Sequence, residues 1–352
     1  MQSFVDIERT FGSQPARLGP VLARIDVGKG REQLYVDQLP ELVRALADQT
    51  RVASIRASSA IEGVIVDDAR AEKIARAPDP PRFRNRNERE FAGYRDAIDA
   101  ITNAESHERM SAPLIAHIHR QLFGHTRARG GYIKSDDNLI VSYESGQRQV
   151  LFTPVSHKKA EFFLTELVAR YNDAVDTEAA HPVVLIGAFV LDFLAIHPFA
   201  DGNGRVARML TTQTLLERGY GIPRYVSVEQ KIFDTKNAYY QSLYDSQRDW
   251  HEGKHTIWSW VEYLASVLAD SYDQFESRVA NARGLETLSK QDRVRVYVLE
   301  QAPSRFKMND LRRALPGVSD PTIRLVLSGL KNEGKIKPDG NSGPQSGWIR
   351  LT

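Results

Sequence analysis

The sequence predicts a mainly α-helical protein, with one small β-hairpin set among the helices and a C-terminal helix–turn–helix followed by a second hairpin. Three observations predict it. Apolar residues recur at three- and four-residue spacing along much of the chain, which is the period of an amphipathic helix. Two short β-branched runs flank Glu144-Ser145-Gly146, the pattern of two strands joined by a tight turn. From Glu286 to Thr352 the composition turns basic, with 12 Lys and Arg against 7 Asp and Glu. At 352 residues the chain is long enough for two or three units, and 41% hydrophobic with 26% charged residues excludes a disordered or fibrous chain.

Charge and cysteine content narrow the function classes. A formal net charge of +2 gives the whole chain no reason to bind polyanions, although it can hide a local basic patch. The absence of cysteine excludes disulfides, thiolate nucleophiles and cysteine-ligated metal centres, and suits a reducing cytosol. The first residues, MQSFVDIERTFG, lack the apolar core of a signal peptide. The most apolar run, Pro182 to Pro198, contains Asp192 and falls short of the ~20 residues of a membrane span. We therefore expect a cytoplasmic protein with no membrane partner.

Taken in order, helical periodicity covers Leu39–Ile61 and stops at Gly63. Ala77–Arg86, rich in Pro and Arg, reads as an exposed loop. Helices are then expected at Glu88–Ile101, Pro113–Phe123, Lys158–Val175, Pro182–His197, Arg205–Arg218, Thr235–Gln247 and Ile257–Ala280. Asn138–Phe152 interrupts them as the hairpin, the alternative being an irregular surface loop. Val279–Lys290 reads as a connector. Helices at Gln291–Gln301, Met308–Leu315 and Asp320–Glu333, then two strand-like pieces from Lys337 to Gly347, suggest a winged helix. Its recognition helix would be Asp320–Glu333, capped by Ser319 or Asp320, with Thr322, Arg324 and Lys331 facing a partner. That partner is either DNA or protein.

The chemistry concentrates between Ile196 and Arg208. Gly202-Asn203-Gly204 tolerates φ > 0 and stands directly before a helix start, where unpaired amides make a cradle for phosphate oxygens. Arg205 and Arg208, three residues apart on one helix face, are both expected to reach the same anion. Asp201 offers a hard oxygen suited to Mg²⁺ bridging phosphates, and His197 can accept a proton near neutral pH. Each residue type alone is commonly structural: a histidine at a helix end, a glycine turn, two surface arginines. An acid, a base, a cradle and two cations within twelve residues point together to nucleotide chemistry.

The string His197-Pro198-Phe199-Ala200-Asp201-Gly202-Asn203-Gly204-Arg205-Val206-Ala207-Arg208 resembles the Fic-family motif H-x-F-x-[D/E]-G-N-G-R-x-x-R at every fixed position. The resemblance implies a helical Fic core at residues 111–280, with a flap at 138–152 and the motif at 197–208. It also implies an N-terminal helical region at 1–110 and a winged-helix domain at 281–352. The implied activity is transfer of AMP from ATP to a Ser, Thr or Tyr hydroxyl of a target protein, with release of pyrophosphate. His197 would be the general base and Phe199 a packing residue. Asp201 would hold Mg²⁺, and Gly202, Asn203 (with its side-chain amide) and Gly204 the phosphates. Arg205 and Arg208 would neutralise the outer phosphates. Asn237 and Tyr240 would border the adenine, and Leu139, Ile140 and Val141 of the flap would dock the target as an added strand. Gly131-Tyr132-Ile133-Lys134 is similar to the family lead-in G-x-[YFW]-R but has Lys for Arg, so Lys134 is assigned no role.

Ser58-Ser59-Ala60-Ile61-Glu62-Gly63 resembles the family's inhibitory motif [S/T]-x-x-x-E-[G/N]. The resemblance implies that Glu62 pairs with Arg208 and keeps it from the γ-phosphate, with Ser58 fixing the motif. Three activities stay open on these residues: AMP transfer under that brake, removal of AMP through the same pocket, or nucleotide sensing by a DNA-binding regulator. A homodimer is likewise left open.

Overall fold

The computed structural model describes residues 1–77, 82–144, 147–286, 289–315, 317–340 and 346–351, with the side chains of 142–144, 147–148 and 283–286 left aside. Fifteen α-helices carry the described chain. The first are α1 (Ile7–Gly12), α2 (Leu18–Gln38), α3 (Pro40–Ile61) and α4 (Asp68–Arg76). Next come α5 (Arg86–Thr102) and α6 (Ala112–Leu122), then the hairpin strands β1 (Ile140–Glu144) and β2 (Gln147–Phe152). After the hairpin run α7 (His157–Asp176), α8 (Pro182–Ile196), α9 (Asn203–Glu217), α10 (Val228–Asp234), α11 (Lys236–Gln247) and α12 (Trp258–Glu286). The hairpin is therefore a hairpin and not an irregular loop; Ile140 pairs with Phe152 and Val141 with Val150, with a bulge between them. Its expected turn, Ser145-Gly146, lies outside the described residues, as does most of the Pro-rich part of the 77–86 loop.

The chain divides into two compact units, residues 1–33 with 47–273 and residues 34–46 with 274–352. In the first unit α8 is the axis. Fourteen of its fifteen residues are buried, because it is apolar on every face. His181 caps it by accepting the Val183 amide, and Pro182 occupies its first turn. It packs against α7, α9 and α11, while α9 packs in turn against α5 and α6. The one charged residue of α8, Asp192, is fully buried and fully engaged. It accepts from the Ser3 amide (3.0 Å), the Ser3 hydroxyl (2.8 Å) and the Trp250 indole (2.6 Å), and pairs with the amino group of Met1. No described helix is long and apolar enough to cross a membrane.

The second unit contains α13 (Lys290–Val296), continued as one π-turn to Gln301, then β3 (Arg305–Lys307), α14 (Met308–Ala314), α15 (Asp320–Asn332), β4 (Ile336–Pro338) and β5 (Gly347–Arg350). The three strands form an antiparallel sheet in the order β3-β5-β4, pairing Phe306 with Trp348 and Ile336 with Arg350. Val294, Val298, Phe306, Leu311, Ile323 and Leu327 form its core. β3 had no counterpart in the sequence reading. Ser319 stands at the N-cap of α15, but its hydroxyl meets Thr322 and not a backbone amide, and Asp320 is bound to Arg312. The middle of the expected wing, residues 341–345, lies outside the described residues.

Candidate active site

The site is built on the bend between α8 and α9. α8 ends on His197, whose backbone is left-handed (φ 51°, ψ 59°), a conformation that costs a non-glycine residue on the order of 1 kcal/mol. The surrounding contacts hold it there. Phe199 is fully buried and stacks on His119, ring centroids 3.8 Å apart and planes within 4°. The Phe199 amide donates to Asn203 Oδ1 (3.0 Å), and its carbonyl accepts from Asn203 Nδ2 (2.7 Å). The Lys134 amide donates to the Pro198 carbonyl (2.9 Å). Phe199 thus packs as expected, whereas Asn203 does not offer its amide group to an anion. Its buried side chain is spent on closing the loop.

This geometry sets the proton chemistry of the imidazole. His197 Nδ1 lies 3.2 Å from the Leu194 carbonyl, so we assign the proton to Nδ1, which leaves Nε2 as a lone pair. Burial lowers its pKa to about 4; the Leu194 bond opposes the shift and the nearby Lys134 ammonium reinforces it. His197 is therefore neutral at pH 7 and able to accept a proton. His119, also pushed down to about 4 by burial, takes the Gly131 amide on Nδ1 (2.7 Å) and meets the Asp201 carbonyl through Nε2 (3.1 Å). It is a neutral strut beneath the loop.

On the other side of the bend α9 begins. Gly202 is its N-cap at φ 80°, and the bond from the Val206 amide to the Gly202 carbonyl (2.9 Å) starts the helix. The amides of Asn203, Gly204 and Arg205 therefore lack helical acceptors and open onto the site. A carboxylate is already there. A Cβ on Gly204 would fall 2.4 Å from Glu62 Oε1, so only glycine leaves room for this group. Glu62 reaches in from the end of α3 and pairs with Arg208 (2.9 Å). Arg208 also donates from Nε to the Ser58 hydroxyl (2.8 Å) and from Nη2 to the Ser58 carbonyl (3.1 Å). Burial is the largest influence and opposes its charge, but Glu62, Tyr239 and Tyr94 together outweigh it and hold the guanidinium above its ordinary range.

The two arginines do not share a partner, contrary to the reading from spacing alone. Arg205 turns towards α5, binding Glu90 through Nη1 (2.7 Å) with its guanidinium 5.4 Å from the Phe123 ring centre. Arg205 Nε and Arg208 Nη1 are buried donors with no acceptor among the described residues. Such donors cost roughly 1–3 kcal/mol each until an acceptor arrives, and phosphate oxygens would supply one.

Asp201 is 59% exposed at the mouth of this cradle, accepting the Gly202 amide (2.6 Å) and lying 3.6 Å from Arg86. One hard carboxylate oxygen fits one position around Mg²⁺. Among the described residues no group of three or more His, Asp or Glu converges on a metal, so nucleotide phosphates and water would have to complete the shell.

The remaining expected residues lie on α11 and at the start of the hairpin. On α11, Tyr240 is half-exposed with its ring centre 5.8 Å from the Lys236 ammonium, and its phenol is raised first by burial and then by the charge of Glu62. Asn237 is exposed on the same helix. Leu139 is exposed just before β1, and Ile140 and Val141 begin the strand.

Two lysines carry more than spacing revealed. Lys134, assigned no role from sequence, is buried, with Nζ bonded to Asn138 Oδ1 (2.7 Å) and 3.4 Å from the Ile196 carbonyl. Asn138 Nδ2 in turn reaches the Phe199 carbonyl (3.1 Å). Lys134 thus ties the base of the hairpin to the end of α8, and burial lowers its pKa to about 8. Lys236 donates to the Ile61 carbonyl (2.9 Å), fastening the end of α3 beside Glu62. The only sequence signal for either was the lead-in Gly131–Lys134.

Residues 109–215, which span this bend from before α6 nearly to the end of α9, match the Fic/DOC family. They form a Fic/DOC-family domain. A Fido domain-containing protein of Dictyostelium discoideum is 29% identical over 127 residues, which is 36% of this chain and 78% of that protein. Protein adenylyltransferase fic-1 of Caenorhabditis briggsae is 28% identical over 142 residues, or 40% of this chain. The chain spans only 25% of that protein's length. In three dimensions, a Fic family protein from Desulfovibrio desulfuricans G20 superposes with a TM-score of 0.59 at 21% identity, covering 96% of this chain and 97% of the other. The Fic fold thus extends beyond the matched residues.

Proposed function

We propose that this Fic protein transfers AMP from ATP to a hydroxyl of a target protein and is held in check by Glu62. The observation that carries the reading is the juxtaposition at the bend. A neutral histidine with a free Nε2 precedes an open helix N-terminus in which a glycine-lined cradle and a buried arginine already hold a carboxylate. That carboxylate stands where an oxygen of a phosphate would. Relatives named adenylyltransferases support the same reaction class.

In this reading the triphosphate lies across the amides of Gly204 and Arg205, with Arg208 on its outer phosphate. Asp201 would hold Mg²⁺, which would supply charge neutralisation to the phosphates. A target segment pairs with the exposed edge before and along β1 and brings its hydroxyl to His197. His197 Nε2 takes the proton, the hydroxyl oxygen bonds to the α-phosphorus, and the bond to the bridging oxygen breaks to release pyrophosphate. The arriving negative phosphates raise the proton affinity of the imidazole, offsetting its burial. Asn237 and Tyr240 flank the adenine. With no cysteine to protect, the chain suits the cytoplasm.

The test is incubation of Glu62→Gly with labelled ATP and a cell lysate. A labelled band that disappears in the Glu62→Gly/His197→Ala double variant is expected; a band of equal strength in both sinks the reading. The partial exposure of Glu62 also suits it to orient a water for AMP removal. Loss of label from a modified target with the wild type but not with Glu62→Gly would favour that direction.

We read the C-terminal unit as a winged helix. Two of its arginines are ion-paired, Arg295 with Glu333 and Arg312 with Asp320, while α15 exposes the apolar Leu325 beside Arg324. That surface fits a protein, including a second copy of this chain, better than DNA. Retention of duplex DNA on a low-salt gel would overturn the preference.

A further inference from the structure

Arginines crowd one side of the catalytic bend. Arg82, Arg84 and Arg86 lie on the segment entering α5, Arg120 near the end of α6, and Arg127 and Arg129 on the loop after it; all six are exposed. Three contacts make them one surface. Phe83 packs edge-on against His125 with centroids 5.1 Å apart, joining the two loops. A Cβ on Gly131 would lie 3.2 Å from Arg120 Nε, and the Gly131 amide binds His119 beneath the motif. Arg86 reaches within 3.6 Å of Asp201 at the mouth of the cradle.

Among the described residues the neighbouring carboxylates are already paired, and of the rim only Arg86 takes a share of them. Glu88 is buried against Arg70, Glu90 is shared by Arg86 and Arg205, and Asp96 pairs with Arg95 and His125. Among the described residues Arg82, Arg84, Arg120, Arg127 and Arg129 have no ion-pair partner, in a chain whose net charge is only +2. A concentration of unpaired positive charge in an otherwise balanced protein raises the local concentration of anionic partners. The nucleotide phosphates have their own donors at Gly204, Arg205 and Arg208. The residues from Gly131 to Asn138 run from this rim along the motif to the hairpin. A polypeptide laid on β1 could therefore continue past His197 over the arginines.

We propose that the protein substrate carries an acidic stretch next to the modified hydroxyl, and that this arginine rim receives it. The proposal rests on the AMP-transfer reading for its substrate, and its test does not depend on turnover. Two fluorescent peptides of about fourteen residues share a central Thr, one flanked by Glu and the other by Gln. Each is titrated by anisotropy against the full-length protein and against Arg84→Glu/Arg127→Glu/Arg129→Glu. The wild type should bind the Glu peptide and lose roughly tenfold in affinity between about 0.05 and about 0.3 M salt. The triple variant should lose as much at low salt, with an unchanged circular-dichroism spectrum and cooperative melt as the control for folding. The Gln peptide should bind weakly to both. Equal binding of the two peptides, or full affinity in the triple variant, overturns the proposal. So does duplex DNA of matched charge that binds the rim more tightly than the Glu peptide. Should the labelled-ATP assay fail while the peptide results hold, the fault lies with the reaction assigned and not with the rim.

Discussion

Replacing Glu62 by Gly removes one carboxylate from a crowded cradle, and its consequence can be sized from the contacts. Glu62 Oε1 makes a 2.9 Å charge-assisted bond to Arg208, a residue only 3% exposed, and projects over Gly204. Such bonds are worth about 1.5–3 kcal/mol, a factor of roughly 10–150 between bound and free Arg208. An approaching phosphate must either displace the carboxylate or sit beside a like charge. Glu62→Gly should therefore raise the rate of AMP transfer by roughly tenfold to a hundredfold. The assay is initial-rate incorporation of labelled AMP at saturating ATP, wild type beside variant. Glu62→Gln serves as a control that keeps the shape and removes the charge, and it should fall between the two. Without nucleotide the variant should melt lower, because Arg208 keeps only its Ser58 contacts, and ATP should recover the difference. Equal rates for all three proteins, at equal ATP affinity, would refute the reasoning.

Four further outcomes follow from other residues. In the Glu62→Gly background, His197→Ala should abolish transfer while leaving ATP binding intact by calorimetry. Because the folded pKa of His197 lies near 4, below its ordinary 6.5, the unfolded chain binds the proton more readily, and stability should decline as pH falls from about 6.5 through about 4. His119 adds to that decline in melts across the range, so the double replacement of both histidines should flatten it. Lys134→Met should cut transfer roughly tenfold at unchanged ATP affinity by freeing Asn138 and the hairpin base, and should raise the pKa of His197 in an NMR titration. Glu32 is buried in α2 beneath Gly221 and accepts from Tyr272 (3.0 Å), and burial raises its pKa to about 7. Its contribution is present below about 4.5 and lost as pH rises through about 7. Glu32→Gln should accordingly raise the melting temperature at pH 8 and change little at pH 5.

The bend was legible because its chemistry is contiguous: base, acid, glycines and arginines fall within twelve residues, and the amides of a helix start follow from sequence alone. The pairing of Glu62 with Arg208 was legible only through the motif resemblance, since 146 residues separate the partners. Long-range commitments left no local trace. Nothing near Arg205 announces Glu90, and nothing near Lys134 announces the Ile196 carbonyl. Helix α2 went unseen because Gly19, Pro20, Gly28 and Gly30 read as breakers. In the structure Pro20 sits in its first turn, and Gly28 lets the helix approach Tyr272, where a Cβ would fall 2.5 Å from the ring. Its buried stripe of Leu18, Leu22, Ile25 and Glu32 ends in a charge, which hid the period. Short α4 and α10 lacked the length for periodicity to show, though Asp67 and Ser227 cap them as capping rules require.

Lys236 clamps the last carbonyl of α3 while Ser58 and Glu62 grip Arg208. An inhibitor fastened in this way is a tethered competitor. Its effective concentration is set by chain geometry and does not change when the protein is diluted or more nucleotide is supplied. Nucleotide that binds while Arg208 is still withheld would sit in an unproductive pose, so ATP supply alone would be a weak throttle for such an enzyme. What governs output is whatever loosens one turn of helix, so the natural activator should be sought among events that strain α3 and not among metabolites that fill the pocket.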